Sequence, residues 1–203
     1  MAKHTNKPAF STGMKLSQLM PFNEHRFDSC MALLSSKHNQ ELTQYDMVKL
    51  HVMTDIFHTL KHGKPVIGGP LSRWPRGPVV KEAYNRVRHW GHEWDKNDAQ
   101  PDLFRILRKK NKSFYFKPIV SVGQDEFSPS ELTAMEEAWK AVMTKDWSGS
   151  QKFFHDDSTF VGRAWKAAGG DGTPIDWRDV VRAYQATHPE YKIADEIIAL
   201  ISL

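Results

Sequence analysis

A chain of 203 residues, 40% hydrophobic and 26% charged, has the make-up of an ordinary globular protein, long enough to bury most of its unfolded surface in one core. Its single cysteine, Cys30, excludes an internal disulfide, and no apolar run approaches the length needed to cross a bilayer. A net charge of +4 and a pI near 9.1 favour acidic partners of any kind, protein or nucleic acid, without choosing between them.

The first twenty residues are polar and aperiodic and read as a flexible arm. They are basic but lack a continuous apolar stretch, so a secretory signal is not expected and the cytoplasm is the expected setting. Phe27, Cys30, Met31 and Leu34 recur at helical spacing and predict a helix over 22–37, with Cys30 as an inert core thiol. Thr43 and Asp46 then make a capping-box start for a long helix to about His62. Met47, Leu50, Met53, Phe57 and Leu60 put its apolar stripe on one face, and Gly63 with Pro65 ends it.

Residues 68–80, "GGPLSRWPRGPVV", pack three glycines, three prolines, two arginines and a tryptophan into one stretch. Pro78 suits the first turn of a helix from 78 to about 90, ending at Gly91. A short basic helix is expected over 101–110. "SFYFKPIVSV" has the make-up of a strand, which Pro118 assigns to an edge or hairpin. "SPSEL" is a helix start, with Ser128 as N-cap, Pro129 at N1 and Glu131 closing the box. Leu132, Met135, Trp139 and Val142 or Met143 give that helix its buried side. Helices at 157–168 and 176–186 flank "GGDGTP", the second capped by Asp176 with Asp179 at N3. Ile175 and Val180 form a hydrophobic staple there, and Pro189 opens a last helix. The expected fold is mainly α: a single multi-helix domain with a small β-hairpin or edge-strand element. Its parts are an arm at 1–20, a domain at 21–187 and a C-terminal helix at 188–203.

Residue types that carry chemistry are present, without a convincing set. His51, His58 and His62 share a helix, but a zinc site needs a third ligand, and no Glu follows His58 as a metalloprotease requires. His89 and His92 straddle a helix end, where histidine stabilises the last carbonyls. In "FFHDDS", His155, Asp156 and Asp157 are the residues of a metal-dependent hydrolase, but Asp157 also reads as an N-cap and His155 as packed beneath the preceding turn. No GxSxG elbow occurs, and the glycines of "GGDGTP" match no phosphate loop. Arg105, Arg108, Lys109, Lys110 and Lys112, with Phe114, Tyr115 and Phe116, suit either single-stranded nucleic acid or a solvated helix end feeding a strand. No metal and no cofactor is expected.

Read whole, "KHGKPVIGGPLSRWPRGPVVKEAYNRV" resembles the Panacea, or SocA-like, antitoxin domain of bacterial and phage toxin–antitoxin operons. The residues that carry the resemblance are Gly63, Pro65, Trp74, Gly77, Pro78, Val79 and Tyr84. It continues through "SPSELTAMEEAW", a histidine step before a tryptophan (His155 and Trp165) and the glycine-rich turn, covering roughly 45–183. Phe153 and Phe154 stand where Leu-Thr is usual, and Trp-Pro stands where Tyr-Gly often suffices. The resemblance implies a non-catalytic protein that neutralises a toxin encoded in the adjacent gene; one relative is an adaptor that delivers its toxin to a protease. Partner contacts are expected at Arg73, Trp74, Arg76 and Lys81, although Trp74 also reads as a core plug and the arginines as solvated. A nucleic-acid regulator built on 105–112 is the alternative, and a homo-oligomer is compatible with either.

Overall fold

The structure, a computed structural model, describes residues 20–93, 102–108 and 114–201. The expected arm therefore falls almost wholly outside the described residues, as do Lys109, Lys110 and Lys112. Helix α1, Glu24–Lys37, starts where Asn23 accepts a hydrogen bond from the Arg26 backbone N–H, and it buries Phe27, Cys30, Met31 and Leu34. Burial pushes the Cys30 thiol up, so it stays protonated and inert. After the two-residue strand β1, Leu42–Thr43, helix α2 runs Gln44–His62. Its capping box joins Thr43 and Asp46, and Gly63 closes it in the left-handed region at φ 71°.

The expected one-sided stripe of α2 is a correction. Met47 to Ile56 are all buried, and so are His58, Thr59 and Leu60. The helix runs through the middle of the molecule, packed against α1, β1 and most of the elements that follow it. Polar side chains of the helix are consequently buried too, Asp55, His51 and His58 against the loop that follows it.

That loop enters strand β2, Leu71–Ser72, which pairs antiparallel with β3, Val79–Val80, before helix α3, Lys81–Glu93. Pro78 is thus not the first residue of the helix. Val79 and Val80 are taken by the hairpin register Ser72↔Val79 and Leu71↔Val80, which delays α3 by three residues. The expected basic helix is a strand, β4, Phe104–Arg108: Phe104 and Ile106 are buried while Arg105 between them is exposed, an alternation of period two that ends at exposed Arg108. Strand β5, Phe114–Pro118, pairs with β4 as a hairpin partner but is the middle strand of the sheet β1–β5–β4. Pro118 is tolerated because β1 reaches only Tyr115 and Phe116, leaving that end of β5 paired on one side.

Helix α4, Pro129–Met143, has the expected capping box and buries Met135, Trp139 and Val142 against α2. Helix α5, Trp147–His155, was not expected; Asp146 caps it by accepting from Gly149 N–H at 2.7 Å. Helix α6, Phe160–Ala167, is capped by Thr159 and not by Asp157, and α7, Trp177–Thr187, is capped by Asp176 as expected. Pro189 does not open the last helix. The chain turns at 188–191, buries Ile193, and only then forms α8, Asp195–Ile201, against α2 and α7. Small antiparallel sheets beside these helices make a mainly α fold, and no described helix is long and apolar enough to cross a membrane.

Candidate partner-binding surface

Residues 74–77, Trp-Pro-Arg-Gly, form a β-turn in which the Gly77 N–H donates to the Trp74 carbonyl at 3.0 Å. Proline at its second position and glycine at its fourth are the residues such a turn favours. Gly77 has φ 91°, and a Cβ there would lie 2.7 Å from Phe154 Cβ and 3.0 Å from Lys49 Nζ. Three carbonyls in and after the turn are each held by a side chain from a different helix. Trp165 Nε1 of α6 donates to Trp74 O at 2.8 Å, His155 Nε2 of α5 lies 3.1 Å from Pro75 O, and Lys49 Nζ of α2 donates to Pro78 O at 2.8 Å. The glycine-rich turn docks on the near side, where Gly172 N–H meets Arg73 O and Ile175 N–H meets Leu71 O.

So fastened, the turn presents Arg76 at its exposed apex and Trp74, half-buried, with its ring 4.8 Å from that of Tyr84. The Arg76 guanidinium lies 5.9 Å from the ring of Trp147, a residue 55% exposed, and the Tyr45 ring lies 4.8 Å from the same indole. Two depressions meet here and share Gln44, Tyr45 and Arg76. One, about 380 Å³, is walled by Lys49, Trp74 and Tyr84; the other, about 520 Å³, by Lys145, Asp146 and Trp147. Arg76 has no carboxylate partner among the described residues, whereas Arg26 pairs with Glu131 and Arg86 with Asp28.

Lys49 is the unusual group. It is 1% exposed, its one hydrogen bond is to Pro78 O, and it sits over the rings of Phe154 at 4.7 Å and Tyr45 at 5.4 Å. Burial without a counter-ion holds its amine well below the usual lysine range. By contrast Asp55, equally buried on the same helix, accepts from the backbone N–H groups of Val66, Ile67 and Gly68 at 2.8–2.9 Å. His51 Nε2 adds a donor 3.1 Å from Asp55 Oδ2 and 3.0 Å from Gly68 O.

Of the expected contact residues, Trp74 and Arg76 share this face, and Lys81 is exposed at the start of α3 just beyond it. Arg73 is turned inward: its guanidinium lies 3.9 Å over the Trp165 ring and donates to the Trp165 and Lys166 carbonyls. Trp74 is half-buried and so is neither a sealed core plug nor free. His155 is used in holding the turn, Asp156 accepts from Ser158 N–H and Asp157 pairs with Lys166, so these three do not converge. Among the described residues no three His, Cys, Asp or Glu side chains gather to hold a metal ion. His58 bridges Lys64 O and Ser130 Oγ, with the His62 ring 4.7 Å away. Tyr45, Lys49 and Trp147 were not singled out from sequence. The only signal for Trp147 is Asp146 before it, a cap ahead of a helix with two serines and a glycine in its first turns.

The model of the family described as "Antitoxin SocA-like, Panacea domain" matches residues 47–159, more than half of the chain. The chain belongs to that family. The matched span takes in α2 from Met47 onward, the whole of the 74–77 turn and His155, while Tyr45, Trp165 and the glycine-rich turn lie outside it. No curated protein and no solved structure matches the chain.

Proposed function

We propose that this Panacea-domain protein is an antitoxin acting in the cytoplasm, which neutralises a toxin encoded beside it by direct contact and without chemistry of its own. The single observation that carries the site is the cluster of Trp74, Arg76, Tyr45 and Trp147 on one rigid face. Tryptophan, tyrosine and arginine dominate interface hot spots, the aromatics because they bury large area at little loss of freedom and arginine because one side chain carries five donors. A turn already fastened by three helices has little left to lose on binding, so more of the contact energy appears as affinity. Family membership supports the partner class: an antitoxin domain implies a toxin.

Co-expression tests the reading. A toxic neighbouring gene product whose growth arrest is relieved by this chain is the expected result. A neighbour that is harmless alone, or that stays toxic beside an abundant, folded chain, refutes it.

A further inference from the structure

The cavity of about 380 Å³ beside the turn has a lining of unusual charge. Its wall includes Lys49 and Arg76 together with Tyr45, Trp74 and Tyr84, and contains no aspartate or glutamate. The nearby carboxylates of Asp46 and Asp146 line the neighbouring depression and are occupied as helix caps. Asp46 accepts from Thr43 N–H at 2.8 Å and Thr43 Oγ1 at 2.7 Å, and Asp146 accepts from Gly149 N–H. The one other lysine there, Lys145, is spent on the Ala141 carbonyl. Arg76 therefore has no anion to meet, and Lys49, after Pro78 O, has at least one hydrogen without an acceptor. Holding one carbonyl does not require an amine; a neutral amide would do so without placing a basic group in an apolar site.

We propose that this cavity receives a glutamate or aspartate side chain of the bound toxin, its stem beside the Trp74 and Tyr84 rings and its carboxylate drawn to Arg76 at the mouth and Lys49 in the wall. The inference rests on the antitoxin reading for the identity of its partner. A carboxylate matches the two parallel N–H groups of a guanidinium, and hydrogen bonds between charged groups are about twice as strong as neutral ones. It also supplies the counter-charge whose absence makes the buried amine of Lys49 so weak a base. Aromatic walls exclude water from the pair and accept the methylene stem.

The test needs no toxin, so it can fail while neutralisation stands, and neutralisation can fail while it succeeds. The purified chain is titrated with acetyl-Ala-Glu-Ala-amide and, separately, acetyl-Ala-Gln-Ala-amide. Binding is followed by NMR through the indole N–H of Trp165, which is hydrogen-bonded to the Trp74 carbonyl. The glutamate peptide should bind at least tenfold more tightly than its glutamine counterpart. Arg76→Gln, at an exposed position, should remove most of that preference, and Lys49→Met should remove the rest. Equal binding of the two peptides, binding of neither, or a preference that survives Arg76→Gln overturns the proposal. So does stronger binding of inorganic phosphate than of the glutamate peptide. Should Lys49→Met fail to fold, the Arg76→Gln result decides alone.

Discussion

The loop at 64–68 and the turn at 74–78 are both held by side chains of α2, in opposite ways. At the first, Asp55 brings a carboxylate into the interior and meets three backbone N–H groups and His51, so both of its oxygens are satisfied. At the second, Lys49 brings an amine inside and meets one carbonyl beside a cavity whose rim is Trp74 and exposed Arg76. A satisfied buried charge fixes a loop. An under-satisfied one next to open space fixes a loop and leaves capacity for a partner. The same helix therefore fixes a loop along one side and walls a cavity, the proposed binding surface, along another.

The largest effect should come from breaking the satisfied side. Asp55→Ala strands three buried N–H donors, and the loss of stability in denaturant unfolding should be about 3–5 kcal/mol. Gly77→Val forces a branched side chain to φ 91° and onto Phe154, which should cost roughly 2–4 kcal/mol and disturb the turn. Lys49→Met separates the two regions by pH. The folded state holds Lys49 below its ordinary value of 10.5, so the unfolded chain binds the extra proton between those two values. Stability from Lys49 is thus fully present above 10.5 and is lost as pH falls toward the lowered folded value. Cys30 and Tyr45, raised by burial, oppose that trend, but the slope of stability against pH across the window should be more positive in the native protein than in Lys49→Met. An unchanged slope would assign it to other groups. The smallest stability effect belongs to Arg76→Ala, which should stay within about 0.5 kcal/mol while weakening any partner complex. Unfolding by Arg76→Ala would reverse the assignment of roles.

Local chemistry was legible wherever it is written in adjacent residues. The capping boxes at Thr43 with Asp46 and at Ser128 with Glu131 appear where their spacing requires, and Trp74, Pro75, Arg76 and Gly77 form the stiff turn their composition demands. Non-local facts were not legible. The stripe through Met47, Leu50 and Met53 is real, but Lys49 and Asp55 are buried as well, because α2 is enclosed and their partners come from the 74–78 turn and the 64–68 loop. The basic look of "RILRKK" masked an alternation too short to outweigh it. Helix α5 was hidden by the poor helix formers Ser148, Gly149 and Ser150, and with it went Trp147, one of the four residues of the candidate surface. Histidine and tryptophan far along the chain, His155 and Trp165, matter because they reach back to the carbonyls of Pro75 and Trp74.

The most direct measurement is the affinity of the purified product of the neighbouring open reading frame, the proposed toxin, for the native chain and for Arg76→Glu, both shown to be equally stable. Tight binding by the native chain that falls at least a hundredfold with Arg76→Glu is the predicted result. Equal affinity for both chains would contradict the assignment of this face as the toxin-binding surface.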